Sequence, residues 1–166
     1  MSVFFVGDLH LGHRSIARYG AGVPGARPRG AATNVVEHDA WVFRQMMSVN
    51  PSKRTLWWIL GDVAMDPNSM ELLNEVPGHK RLILGNHDLF PTEEYLKCFE
   101  WLGGGIKKYG MWVTHMPLHP LELYGKPNIH GHTHYDTING DDRYLNAAIE
   151  WLPDQRPISL DEVRAS

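Results

Sequence analysis

Five short segments carry side chains that could hold metal ions and move protons. In chain order they are Asp8-Leu9-His10, Gly61-Asp62, Gly85-Asn86-His87-Asp88, Thr114-His115 and Gly131-His132-Thr133-His134. Asp8 and His10 are two apart, as are His132 and His134, and residues two apart on an extended chain face one side. Each pair could therefore offer two ligands to one ion. Asp62 adds a carboxylate, whose two oxygens can bridge two cations. Asn86 offers a neutral amide oxygen, suited to a borderline metal that imidazoles also hold. The candidate ligand set is Asp8, His10, Asp62, Asn86, His115, His132 and His134.

His87 and Asp88 suggest acid–base work. His87 could point past the metals toward a substrate, with Asp88 holding its other ring nitrogen and keeping the ring protonated. The same tetrapeptide also reads as a polar turn, with Asn86 left-handed and Asp88 as a cap. Each segment alone fits a plain role: Asp62 capping a turn, the histidines at the surface or satisfied in the core. Their conjunction in one chain, each beside Gly or Pro, favours the metal site.

The elements that would position these residues follow from pattern. Apolar runs ending in glycine recur at Val3-Phe4-Phe5-Val6-Gly7, Leu56-Trp57-Trp58-Ile59-Leu60-Gly61 and Leu82-Ile83-Leu84-Gly85, with a looser copy at Ile129-His130-Gly131. Such runs predict buried strands. Helices are predicted over residues 15–19, 35–49 and 69–75. Strands alternating with helices imply a mainly parallel sheet, which binds ligands at the carboxyl ends of its strands. Asp8, Asp62 and Asn86 fall there, each after a glycine that lets the backbone turn or approach a ligand. In the second half, residues 111–114 read as a strand. Residues 135–138 and 143–147 read as short strands joined by the turn Asn139-Gly140-Asp141, implying a second, more antiparallel sheet. Ser159 and Glu162 have capping-box spacing, and residues 20–34 read as a long loop.

The chain has 166 residues, 43% hydrophobic and 21% charged, with a net charge of −3. These are ordinary globular values, and the charge argues against bulk electrostatic wrapping of nucleic acid. Two divalent ions would bring the loaded chain to about +1. The single cysteine, Cys98, forbids an internal disulfide and reads as a core or helix-face thiol. The first residues lack a signal-peptide pattern and no apolar run is long enough to span a membrane, so the cytoplasm is the expected setting. Among other residues, His13 reads as a polar contact at a helix start and His119 as part of a pocket rim. His130 reads as packed within its strand, and His38 and His79 as surface residues. The tryptophans read as packing groups.

The ordered set Asp8-x-His10, Gly61-Asp62, Gly85-Asn86-His87-Asp88, His115 and Gly131-His132-x-His134 resembles the calcineurin-like metallophosphoesterase superfamily. Residues 7–13 and 156–162 are similar to its small single-domain bacterial and phage members. The resemblance implies an α/β fold, a four-layer α/β/β/α sandwich of two mixed β-sheets flanked by helices, as one domain over residues 1–166. It implies one metal held by Asp8, His10, Asp62 and His134, and another by Asp62, Asn86, His115 and His132. Thr114 departs from the pattern, since Gly or Ser commonly precedes that histidine. The donor set fits two divalent ions, manganese first, with iron, zinc, nickel or cobalt also suitable.

The implied activity is hydrolysis of a phosphodiester, small or cyclic-nucleotide-like, by a hydroxide that bridges the two metals. His87 would protonate the leaving oxygen, and Asn86 and His87 would contact the substrate. Arg14, Arg18, Arg27 and Arg29 either fork onto phosphate or lie on solvated faces. Arg27 is the one assigned to substrate, because small members are similar in carrying Arg-Pro in this region. The implied partner is a phosphate ester, including nucleotides, with no membrane and no obligate protein partner. A phosphomonoesterase or nuclease of the same superfamily is the alternative, and a non-catalytic scaffold is disfavoured because every ligand position is intact.

Overall fold

A computed structural model of the chain describes residues 2–16, 28–30, 32–138 and 140–166. Arg18 and Arg27, most of the predicted helix over 15–19 and most of the loop over 20–34 lie outside these residues.

Two mixed sheets, of five and four strands, form an α/β fold flanked by helices. The first has the order β4-β3-β2-β1-β9. Its members are β1 (Val3–Val6), β2 (Leu56–Ile59), β3 (His79–Ile83), β4 (Trp101–Gly103) and β9 (Ile158–Ser159). β1 to β4 run parallel, and β9 runs antiparallel on the β1 edge. β1 and β2 are buried along their whole length, which explains their unbroken apolar runs.

The predicted helix over 35–49 is α1 (Val35–Met47), capped by the Asn34 side chain on Glu37 N–H. Its buried stripe is His38, Trp41, Val42 and Met46, the spacing of one helix face. The prediction over 69–75 becomes a short α2 (Pro67–Met70) capped by Asp66, followed by a 3-10 turn over Glu71–Glu75. α3 (Thr92–Tyr95) precedes β4, and α4 (Leu160–Ala165) opens on the complete Ser159–Glu162 capping box.

The second sheet has the order β5-β6-β7-β8: β5 (Gly105–Lys108), β6 (Met111–Thr114), β7 (Asn128–His130) and β8 (Tyr144–Asn146). Its chain sense corrects the sequence-based expectation. Only β5 and β6 are antiparallel, while β8 pairs with β7 in parallel. No strand forms over residues 135–138. That segment is held by a turn, Asp136 N–H to Thr133 O at 2.8 Å, and by the Asn146 side chain, which donates to the carbonyls of His134 and Asp136. Side-chain bonds thus replace the hairpin ladder.

The sheets meet through aromatics. Phe5 and Trp58 are register partners on β1 and β2. Phe5 packs edge-on to Tyr109, and Trp58 Nε1 donates to the Tyr109 hydroxyl. Fully burying a side chain such as Phe5 contributes roughly 1.5–3 kcal/mol. Cys98 is half-buried against the core, as expected for a structural thiol. No helix among the described residues is long and apolar enough to cross a membrane.

Candidate metal centre

The parallel strands β1, β2 and β3 end on one edge, and the backbone beyond them is stitched together. Asp8 N–H donates to Gly61 O and His10 N–H to Asp62 O, so the segments after β1 and β2 run side by side. Gly7 N–H donates to Ala147 O, Ala147 N–H to His130 O and Gly131 N–H to His115 O. These bonds join the ends of both sheets, and all five candidate segments arrive at one place.

Two ligand groups result. The ligand atoms of Asp8, His10 and His134 lie within 4.8 Å of one another, as do those of Asp62, His115 and His132. Asn86 Oδ1 lies 2.9 Å from His115 Nε2 and so joins the second group. Asp62 stands between them, with Oδ2 3.8 Å from His10 Nε2 and Oδ1 3.6 Å from His115 Nε2. All seven candidate ligands are therefore assembled.

The arrangement fits cations on three counts. Among the described residues, neither buried ring nitrogen of His10 has a hydrogen-bond partner, which is costly for polar atoms unless something else satisfies them. His115 Nδ1 donates to Leu60 O at 2.7 Å, so in the ligating tautomer the Nε2 lone pair points toward the Asn86 oxygen. Two acceptors face a common point, where a cation would suit both. The backbone is also strained here. Asp8, His10, Asp62, His132 and His134 all adopt left-handed φ, between 50° and 70°. Non-glycine residues rarely do so, and such outliers concentrate at functional sites.

Close approach explains the glycines. A Cβ on Gly85 would stand 2.2 Å from Asp62 Oδ1, and one on Gly61 would stand 2.4 Å from His115 Nδ1. Gly61 also has a φ of +82°.

Burial and neighbouring charge set the protonation of the cage. Burial pushes the Asp8 carboxyl up to about 7, against the pull of His134 and His115. Burial, with the Arg29 charge, drives the His10 imidazole far down, so it stays neutral and able to ligate. Burial and His115 also hold His132 below the ordinary range. For His134 burial again disfavours charge, but the Glu150 hydrogen bond and the Asp8 charge outweigh it and raise the ring. These balances apply before any cation enters; a bound ion would shift each toward the ligating form.

His87 and Asp88 separate. His87 is exposed, its ring 5.7 Å from that of His10, and its N–H donates to Asp62 Oδ1. Asp88 does not hold the His87 ring. Its Oδ2 accepts from Asp62 and Gly85 N–H and its Oδ1 from Val63 N–H, so it clamps the segments after β2 and β3 together. The cap reading describes Asp88, whereas Asn86 is not left-handed.

Other assignments also change. His38 is fully buried, because its ring joins Arg29 to Asp39. Arg29 is fully buried as well and meets Glu150. Sequence reasoning left Arg29 either forking onto phosphate or on a solvated loop, and passed over Glu150. The one available signal was an acid directly after the apolar run Ala147-Ala148-Ile149. His13 accepts from Ser15 N–H, His130 is buried in β7 and His79 is exposed beside Glu100, as their patterns suggested. His119 accepts from Leu121 N–H at the start of a 3-10 turn. Arg14 is exposed.

The gene 66 protein of Mycobacterium phage L5 is 35% identical over 92 residues, which cover 52% of this chain and 40% of that protein. The gene 66 protein of Mycobacterium phage D29 is 34% identical over 94 residues, with the same shares covered. The match thus spans well under half the length of these relatives. A solved structure from Aquifex aeolicus, the protein of unknown function AQ665, superimposes with a TM-score of 0.70 at 24% identity. It covers 99% of this chain and 98% of its own, and so supports the fold. The calcineurin-like phosphoesterase family matches residues 1–163, all five ligand segments included, and the chain belongs to that family.

Proposed function

We propose that this chain is a metal-dependent phosphoesterase that hydrolyses phosphodiesters, small or cyclic-nucleotide-like, as a single domain. One observation carries the reading: two groups of candidate His and Asp ligands share Asp62 between them, around a buried His10 whose ring nitrogens have no hydrogen-bond partner among the described residues. Asp8, His10, Asp62 and His134 would hold one divalent ion, and Asp62, Asn86, His115 and His132 the other. When bound, such a pair lowers the pKa of water and neutralises phosphoryl oxygens. Manganese is the first choice, with iron, zinc, nickel or cobalt compatible with the same donors.

The remaining work falls to this chain's residues. His87 is exposed and beside the cage, so it can reach a substrate and donate a proton to the leaving oxygen. Asn86, also exposed, would contact the ester alongside it. Asp62 holds the His87 backbone and so fixes where that ring begins. Asp88 keeps the strand ends in register. Arg27 remains the proposed further substrate contact.

The diester preference rests on charge. A monoester dianion needs more cations beyond the metals than a diester does, and Arg29, turned inward onto Glu150 and backbone carbonyls, supplies none of them. Purified protein with added Mn²⁺ would be assayed on a chromogenic diester, a monoester, cyclic nucleotides and single-stranded DNA. Diester turnover that EDTA abolishes and Mn²⁺ restores is expected. Monoester turnover exceeding it, or none on any ester, would overturn the reading.

A further inference from the structure

Behind His134 lies a charge pair that no substrate can reach. The Glu150 and Arg29 side chains are both fully buried and meet at 2.8 Å. Glu150 Oε1 accepts from His134 Nδ1 at 2.5 Å. Arg29 forks onto the first ligand segment, donating from Nη1 to Leu9 O at 3.0 Å and from Nη2 to Asp8 O at 2.7 Å. That segment carries two left-handed residues, Asp8 and His10, and its backbone needs an external hold. On its other side Arg29 meets His38, His38 meets Asp39, and Asp39 accepts from Gly12 N–H. One chain of contacts therefore grips the segment from Asp8 to Gly12 and the ring of His134. In the second group the ring of His115 is held differently. His115 leans on a neutral backbone carbonyl, Leu60 O.

We propose that Glu150 and Arg29 are positioning residues for one ion only, the one held by Asp8, His10 and His134, and that they make its site the tighter of the two. The inference rests on the dinuclear reading above. A carboxylate that accepts from Nδ1 fixes the tautomer, turns the Nε2 lone pair to the ion and makes the ring a stronger donor than a carbonyl partner does. Arg29 neutralises the buried carboxylate and, with the same fork, pins the Asp8 and Leu9 carbonyls that lead into His10. Stability alone accounts poorly for the pair, since apolar residues of similar volume commonly replace buried ion pairs without loss.

The test uses the full chain, stripped of metal and titrated with Mn²⁺ by calorimetry, with circular dichroism to establish folding. Wild type is expected to take two ions in two resolved steps. Glu150→Gln should weaken the tighter step about 10–100-fold and leave the other within about twofold. The double variant Arg29→Met/Glu150→Met removes both charges, leaves none buried alone, and should show the same selective loss. Equal weakening of both steps in folded variants, or of neither, overturns the inference. Wild type that binds two ions with equal affinity overturns it alone, whereas wild type that binds fewer than two overturns the dinuclear reading with it.

Discussion

Gly131 presses against the carboxylate of Asp8, so closely that an added Cβ would stand 2.4 Å from Oδ2 and 2.9 Å from Leu60 O. The backbone of the next residue, His132, donates to both oxygens of that carboxylate at 3.0 Å. Gly131→Ala must therefore displace a proposed ligand or the strand that carries two more. A shift near 1 Å costs about 10²-fold in turnover. The expected result is a loss of that order in kcat/KM on the diester, with weaker Mn²⁺ binding. Gly104→Ala is the control, since its Cβ would meet nothing within 4 Å. Equal activity in the two variants would remove Asp8 from the centre.

His87 is exposed and lies outside the ligand groups. His87→Ala should lower kcat about 10²–10⁴-fold on esters with poor leaving groups, while both Mn²⁺ ions remain bound. A good leaving group, which needs no proton, should restore much of the rate. Asp62→Asn should do worse on every ester and disturb both ions, because Asp62 faces both groups. Wild-type turnover by His87→Ala on a poor leaving group would end its role as acid.

Asp88 accepts three backbone N–H bonds, from Asp62, Val63 and Gly85. Asp88→Ala strands those donors and should destabilise the fold by about 3 kcal/mol or more. For a chain of this size that lowers Tm by about 6–12 °C. Asp88→Asn, which keeps one acceptor oxygen, should lose less. The measurement is made on metal-free protein, where a residue that only orients His87 would leave Tm unchanged.

Glu162 supplies a pH test remote from the centre. The Arg156 hydrogen bond, with Ser159, holds its carboxyl down at about 2, against the effect of partial burial. Its folded pKa lies below the unfolded value, so its contribution to stability is complete above about 4.5. That contribution fades as pH falls toward 2. Wild type should melt above Glu162→Gln at pH 6, and the gap should close by the acid end of that window. The gap is small because the pair is partly open to water. A gap that widens on acidification would contradict the assignment.

The candidate ligands and their order were legible in the sequence because all but His115 sit where an apolar run meets glycine, while His115 follows the apolar run over residues 111–113, and those patterns are local. The strand cores of β1, β2 and β6, the extent of α1 and the Ser159 cap were legible for the same reason. The sense of β8 was not. Residues 135–147 carry a turn signal that fits a hairpin, and only pairing with β7 and the Asn146 side-chain bonds decide against it.

Burial of charge was equally out of reach. Arg29 and Glu150 are 121 residues apart, and each alone resembles a solvated side chain. They are buried because the fold sets them against each other, against the His134 ring and against the carbonyls of Asp8 and Leu9. The sequence by itself determined which side chains could hold cations, since ligand chemistry belongs to the residue. Tertiary structure alone brought the two groups within reach of Asp62 and set which charges stand behind them. Distance and desolvation are properties of the folded whole.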